Sequence, residues 1–312
     1  MNSQNQNIQG PISGFVGIVG PTNSGKSTLL NALIGKKVSI VSPKVQTTYH
    51  GVSGILNSPE GQVIFTDTPG YQRHPDRIAR LLNLVADQKA SGCDAVLWVF
   101  DVSHARVLDQ VLKLKDKIQA MKSRERSFLV LNKVDKIAKP LLLPLIQALW
   151  ELGIFQEIFP VSAKRGTGLD RILKTVQSVL PEGEELFPKE SVSDRSLQFH
   201  VSEFIREKIY QSTHQEVPYA SWIEIEEGES PDEAERPAAV PTIRAVIHVD
   251  SDSKKGILIG KQGERLKYIG SEARKDIEAF LGKQICLKLH VHVQSKWKED
   301  SRFIHRYLEL EQ

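Results

Sequence analysis

Between Phe15 and Leu180, short apolar runs alternate with segments of helical periodicity, and this alternation is what most limits the fold. "FVGIVG" reads as a buried strand and "GKSTLLNALIG" as a helix ending at Gly35. The pair recurs as "QVIFTDTPG" with "PDRIARLLNLVADQKA", where Pro75 stands near the helix start, and as "DAVLWVFDV" with "VLDQVLKLKDKIQAM". It recurs again as "SFLVLNKVD" with "PLLLPLIQALWELG", and as "EIFPVSAK" with "GLDRILKTVQSVL". Parallel strands need long crossovers, and helices supply them. The spacing therefore predicts an α/β domain with a doubly wound, mostly parallel sheet. "YHGVSGILN" adds one antiparallel edge strand.

Near Pro181 the pattern changes. "PEGEELFPKESVSDRS" mixes Pro, Gly, Glu and Ser without periodicity and reads as a linker. Beyond it, "FHVSEFIREKIY" is helical, with Val201, Ile205 and Ile209 in one stripe. "SWIEIEE" and "IRAVIHV" alternate as strands, the latter with Ile243, Ala245, Ile247 and Val249 on one face. A long helix carries Leu266, Ile269, Ala273, Ile277 and Phe280, and "ICLKLHVHV" closes as a strand with Ile285, Leu287, Leu289, Val291 and Val293 inward. This order predicts a smaller α+β domain with helices on one sheet face. The acidic "EGESPDEAERPAAVP" reads as a mobile loop between its first two strands. The resulting division is a flexible N-terminus at 1–13, a first domain at 14–181, a linker at 182–196 and a second domain at 197–312.

A length of 312 residues, 40% hydrophobic and 25% charged, suits two globular domains. The net charge of +3 is too small to name a partner, so the placement of basic residues matters more. Cys93 and Cys286 lie far apart, each in an apolar run, and read as packed, reduced thiols, which fits the cytosol. The N-terminus lacks the basic and apolar parts of a signal peptide, and no stretch approaches the length of a membrane span.

"GPTNSGKS" matches Gly-x4-Gly-Lys-Ser/Thr between a strand and a helix. Gly20, Pro21, Thr22, Asn23, Ser24 and Gly25 form a loop whose N–H groups can face phosphates. Lys26 reaches the β- and γ-phosphates, Ser27 ligates Mg²⁺, and Thr28 continues the helix whose N-terminal end favours anions. "DTPG" puts Asp67 at a strand tip where it can hold Mg²⁺, followed by Thr68, Pro69 and Gly70, whose N–H can meet the γ-phosphate. "NKVD" supplies Asn132, Lys133 and Asp135. The Asp135 carboxylate can accept from guanine N1–H and its exocyclic amine, a pair adenine lacks. "VSAK" brings the N–H groups of Ser162, Ala163 and Lys164 toward guanine O6. The four motifs in this order predict GTP and GDP as ligands, at the carboxyl ends of strands.

The loop at 36–50 holds "QTTYH", in which Thr47 or Thr48 can complete the Mg²⁺ shell when GTP is present, making a switch loop. With Lys26 and Gly70, these threonines form the expected catalytic set. Many such sites place a glutamine after "DxxG" to orient water. Here that position is Tyr71, a poor base at neutral pH, so slow intrinsic hydrolysis is expected. Asn23 is a candidate ligand for K⁺ between the phosphates, supplying positive charge there.

"GKQG", Gly260 to Gly263, has its glycines closer together and no Lys-Ser/Thr after them. It follows a strand and joins two helical segments, the arrangement of a KH loop that clamps single-stranded nucleic acid. The expected contact set is Lys254, Lys255, Gly256, Ile257, Ile259, Gly260, Lys261, Gln262, Gly263, Arg265 and Lys267, with bases against Ile257, Leu258 and Ile259. Between Lys254 and Lys275 stand seven Lys/Arg against two Glu. His248, His290 and His292 suggest a metal, but no Cys or carboxylate cluster joins them, so none is expected.

With these motifs placed, the chain resembles the Era family within the Era/TrmE-like GTPases of bacteria, whose members carry a C-terminal type II KH domain. The likeness runs through "NSGKSTLLNALIG", "SPKVQTT", "DTPG", "NKVD", "VSAK", "FIREKI", "KKGILIGKQGERLKYIGSEARKDIEAFLGK" and "KWKED". It departs at "GPTN", where the family usually has Gly-Arg-Pro-Asn, and at Tyr71, usually aliphatic. The resemblance implies GTP hydrolysis and binding near the 3′ end of 16S rRNA. It further implies work on the 30S ribosomal subunit, a monomer, and a cytoplasmic location partly peripheral on the inner face of the membrane. In the switch so expected, GTP orders the loops near 36–50 and 67–80 and alters RNA binding. Rival readings are an RNA-modification GTPase and a membrane or protein scaffold.

Overall fold

A computed structural model describes residues 10–41, 51–71, 77–213, 217–226 and 240–295. The chain divides into two compact units, the first comprising 1–39 with 51–194, the second 40–50 with 195–312.

The first unit holds a six-stranded sheet in the order β2-β3-β1-β4-β5-β6. The strands are β1 (Ile12–Val19), β2 (Val52–Ser58), β3 (Gly61–Asp67), β4 (Ala95–Asp101), β5 (Ser127–Asn132) and β6 (Glu157–Pro160). All pairs are parallel except β2 with β3, so the antiparallel edge expected from "GVSGILN" is present. Between the strands run α1 (Lys26–Ile34), α2 (Arg77–Ser91), α3 (Val107–Met121), α4 (Lys139–Trp150) and α5 (Leu169–Gln177). Strands β4 and β5 read as unbroken apolar runs because both their faces are covered: Ala95 to Phe100 and Phe128 to Leu131 are all fully buried.

Residues 182–194, which sequence reads as linker, lie along the β2 edge and cluster with the first unit. Ile55 N–H donates to Val192 O at 3.0 Å, and Ser53 N–H to the Asp194 carboxylate at 2.9 Å. Gln62, fully buried on β3, donates to Phe187 O and accepts from the N–H groups of Leu186 and Phe187. The strap satisfies backbone groups that an open edge strand would expose.

The second unit holds a three-stranded sheet, β7 (Ser221–Glu226), β8 (Thr242–Val249) and β9 (Cys286–Val293), with β8 central. β7 runs antiparallel to β8, and β9 parallel. Helices α6 (Leu197–Ser212), α7 (Asp252–Ile259) and α8 (Glu264–Leu281) cover one face. Its core joins Val201, Phe204, Ile205 and Ile209 to Ala245, Ile247, Ile269 and Ile277, and Ile40 packs in this same core. One sequence expectation changes here. Cys286 is exposed and not packed, because β9 alternates and its inward positions begin at Leu287. His248 is buried, stacked on Trp222 at 3.9 Å between ring centres.

Thr47 and Thr48, Pro75, most of the acidic loop and the terminal "KWKED" lie outside the described residues. Among those described, no helix is long and apolar enough to cross a membrane, and no group of three or more His, Cys, Asp and Glu residues is arranged to hold a metal.

Candidate nucleotide and RNA sites

The parallel register carries four motifs to one end of the first sheet. Ile18 pairs with Asp67, Asp101 with Asn132 and Leu131 with Pro160, so the loops that follow β1, β3, β5 and β6 leave the sheet at one end, with that of β4 among them. Open α/β sheets bind their ligands at this carboxyl edge.

The "GPTNSGKS" loop turns back over the start of α1. Gly25 caps that helix with φ 93°, and any Cβ there would collide with Asn132 Nδ2. Lys26 Nζ curls over the loop, donating to Pro21 O at 3.0 Å and Gly20 O at 3.3 Å. Burial brings its pKa down to about 8, partly offset by the Asp67 charge. Oxyanions arriving at this loop would restore the full charge. Asn23 takes a left-handed φ of 61° and its backbone carbonyl accepts from Lys133 Nζ at 2.6 Å.

Asp67 is fully buried, which pushes its carboxyl up, while Lys26, Ser27 and Ser39 pull it down. Ser27 Oγ donates to Asp67 Oδ2 at 2.6 Å and Ser39 Oγ at 3.1 Å. Asp67 Oδ1 has no hydrogen-bond partner among the described residues. A buried, half-satisfied carboxylate beside a serine hydroxyl is a hard oxygen donor set, which fits Mg²⁺ and would be neutralised by it. Thr68 turns inward, its hydroxyl donating to Ile18 O at 2.9 Å, which pins the "DTPG" turn to β1. Gly70 sits so close that a Cβ would come within 2.8 Å of both Lys26 Nζ and Thr22 Cα.

Asn132 is the hub of the base-side loops. Its Nδ2 donates to Ser24 O at 2.9 Å, and its Oδ1 accepts from Lys133 N–H at 2.8 Å and Ala163 N–H at 3.0 Å. One side chain thus joins the phosphate loop, "NKVD" and "VSAK". The Ala163 N–H is committed to this brace. Lys133 reaches back to bond Asp101 Oδ2 at 2.7 Å as well as Asn23. Burial alone would raise the Asp101 carboxyl, but the bonds from Lys133 and Ser103 outweigh it and hold it low. Asp135 is gripped by Ser162 Oγ at 2.6 Å, and this bond holds its carboxyl below the usual range. Arg165 Nε lies 3.9 Å from the other carboxylate oxygen, and Lys164 is exposed.

Sequence reasoning missed Ser39 and Asp101. Asp101 was findable, since it too ends a parallel strand. Ser39 carries no local signal; it meets Asp67 only through the fold.

In the second unit, α7 and α8 are joined by a single tight turn over "GKQG". Gly260 has φ 72°, Gly263 φ 80°, and Gln262 takes φ 51°, a left-handed conformation uncommon outside glycine. The exposed Lys261 and Gln262 stand at its tip. Arg265 donates to Ile257 O and closes the turn. Lys254 is held by Asp250 at 2.6 Å, whereas Lys255, Lys261 and Lys267 form no ion pair among the described residues. Leu258 corrects the expected base surface: it is fully buried in the core because α7 must turn one face to the sheet, while Ile257 stays exposed and Ile259 partly so. A groove of about 380 Å³ lies instead between α8 and β9, with Leu266, Leu287 and Leu289 as its apolar wall and Lys267 and Arg274 on its rim. Gly270 forms part of its floor.

Fold and sites together define a P-loop GTP-binding protein with an appended KH domain. The model for the "50S ribosome-binding GTPase" family matches residues 15–133, and that for the KH domain matches 206–298. The chain belongs to the Era family of GTPases. It is 40% identical over 295 residues to the GTPase Era of Syntrophus aciditrophicus, covering 95% of this chain and 94% of that one. Among solved structures, a single-substitution variant of Aquifex aeolicus Era bound to GDP·AlF4⁻ matches with a TM-score of 0.84 at 36% identity, over 94% of this chain and 98% of that chain. A structure of Era in complex with MgGDPNP and nucleotides 1506–1542 of 16S ribosomal RNA matches with a TM-score of 0.81 at 36% identity, over 95% and 98%.

Proposed function

We propose that this chain is a GTP-hydrolysing switch that binds single-stranded RNA at the 3′ end of 16S rRNA and serves assembly of the 30S subunit. The observation that carries the reading is the convergence of Lys26, Asp67 and the Asn132–Asp135 turn on one sheet edge, in a chain that also presents a Gly-x-x-Gly loop beside a basic-rimmed groove. The N–H groups of residues 20–25 cradle the phosphates with Lys26. Ser27 and Asp67 hold Mg²⁺, with Ser39 steadying Asp67. Mg²⁺, when bound, supplies charge neutralisation at the β- and γ-phosphates. Asp135 selects guanine, and the loop after β6 bounds the base. Gly70 offers its N–H toward the γ-phosphate. Asn23 remains the candidate K⁺ ligand; equal GTPase rates in KCl and NaCl of matched ionic strength would remove that role.

RNA runs over Lys261 and Gln262 and along the groove between α8 and β9, with Lys267 and Arg274 meeting its phosphates. Nucleotide state alters RNA affinity, which requires different affinities with GDP and a non-hydrolysable GTP analogue. The protein works in the cytoplasm as a monomer, part of it resting on the inner membrane face, a distribution that cell fractionation checks. The deciding experiment is crosslinking in cells followed by sequencing of bound RNA. Enrichment of the 16S 3′ end is expected; tRNA would point to RNA modification, and no RNA to a scaffold.

A further inference from the structure

Tyr71 follows the glycine of "DTPG", where a water-orienting side chain would stand, yet its ring does not face the phosphate loop. It is 8% exposed and belongs to the core, stacked on Trp98 with ring centres 6.1 Å apart and planes 15° from parallel. Its hydroxyl donates to Asp87 Oδ1 at 2.7 Å. Asp87, on α2, is itself bonded through both oxygens by Lys117 of α3 at 2.9 and 2.7 Å, and Lys117 Nζ lies 4.6 Å from the centre of the Tyr71 ring. The side chain is thus held on three sides, by β4, α2 and α3.

The backbone of the same residue is fastened to the phosphate loop. Tyr71 N–H donates to Gly20 O at 3.0 Å, and Tyr71 O accepts from Thr22 N–H at 3.3 Å. Gly20 O and Pro21 O are also the acceptors of Lys26 Nζ. Gly70, one residue earlier, abuts Lys26 Nζ and Thr22. Whatever fixes Tyr71 therefore fixes Gly70 against the mouth of the loop.

We propose that Tyr71 is a positioning residue for the γ-phosphate: through its bond to Asp87 it holds Gly70 at the loop mouth and so sets the preference for GTP over GDP. The proposal rests on the assignment of this loop to GTP. A group that acts only where the γ-phosphate lies changes the affinity for GTP and leaves the affinity for GDP alone, because only differential contacts discriminate. The phenol takes no part as base or water ligand, since it points into the core and burial with the Asp87 carboxylate pushes its ionisation far up.

Tyr71→Phe keeps the ring stack and removes the hydroxyl. For the purified full chain, binding of fluorescent GDP and of a fluorescent non-hydrolysable GTP analogue is measured side by side. A loss of one bond to a half-buried carboxylate predicts a GTP-over-GDP ratio lowered about five- to tenfold, with GDP affinity within about twofold of wild type. Asp87→Ala, which keeps Tyr71 itself and removes the acceptor of its hydroxyl, is expected to act in the same direction, and the double variant to be no worse than the stronger single one. A ratio unchanged in Tyr71→Phe, even with a lowered Tm, would leave Tyr71 an ordinary core residue and overturn the proposal. If Tyr71→Phe does not fold, an unchanged ratio in Asp87→Ala overturns it equally. Failure of the wild-type chain to bind either nucleotide would instead strike the GTP assignment on which the proposal rests.

Discussion

Ser162 Oγ donates to Asp135 Oδ1 across 2.6 Å, joining the two loops that bound the base pocket. That bond keeps the carboxyl ionised below the usual carboxylate range. Asp135→Asn removes the double acceptor that guanine needs and presents an amide donor suited to a carbonyl. Two charge-assisted bonds are lost, so GTP affinity should fall about 10²–10⁴-fold while affinity for xanthosine triphosphate rises. A depressed carboxyl stays charged as pH falls, so guanine binding should hold steady from neutral pH to about pH 4 and be lost below it. In Ser162→Ala the loss should begin at higher pH. Nucleotide titrations from neutral pH down to about pH 3 test both statements.

Lys26 makes the opposite case, a buried cation that folding disfavours. Its pKa is brought down to about 8, so between there and its unfolded value near 10.5 the unfolded chain binds more protons. Nucleotide-free stability should therefore rise with pH through this window. Lys26→Met should abolish that rise and stabilise the nucleotide-free protein at pH 7, by on the order of 2–3 kcal/mol, while GTP binding is lost. Melting curves at pH 7 and pH 10, wild type against variant, give the sign directly.

The basic residues near "GKQG" divide by what already holds them. Lys261 and Lys267 form no ion pair among the described residues, whereas Lys254 is clasped by Asp250. For Lys261→Ala and Lys267→Ala, single-stranded RNA affinity should drop uniformly across sequences, and the salt slope should fall by about 0.7 per lysine removed. Lys254→Ala should change the slope less. Filter binding over a range of KCl concentrations distinguishes them.

The architecture was legible where residue spacing is set by backbone geometry. Strand–helix alternation placed the six-stranded sheet, and fixed motif spacings placed Lys26, Asp67, Asn132 and Asp135 at one edge. The illegible parts depend on partners distant in sequence. Gln62 looks like an ordinary strand amide, yet it is fully buried because it serves three backbone groups of residues 186–187. In "FIREKI" the charged residues look like a solvated helix face. Arg206, Glu207 and Lys208 are all buried, because Arg206 pairs with Glu203 and Lys208 with both Glu207 and Asp276. The groove between α8 and β9 went unread for the same reason: Leu287 and Leu289 join Leu266 only once the sheet has formed.

Ile40 is 2% exposed and packs among Val201, Ile205 and Ile209, while Val41 N–H donates to Glu207 at 2.8 Å. The second unit is therefore not a contiguous piece of chain. A fragment beginning at residue 195 would carry an apolar hole and a buried carboxylate short of one donor, and should melt below the full chain. Ile40→Ala reproduces the hole alone and should cost the second unit about 2–4 kcal/mol, read by hydrogen exchange of α6. Vectorial synthesis adds a further consequence. Ile40 leaves the ribosome long before its packing partners exist, so the nascent first unit must wait with this residue exposed until the last third of the chain has been translated.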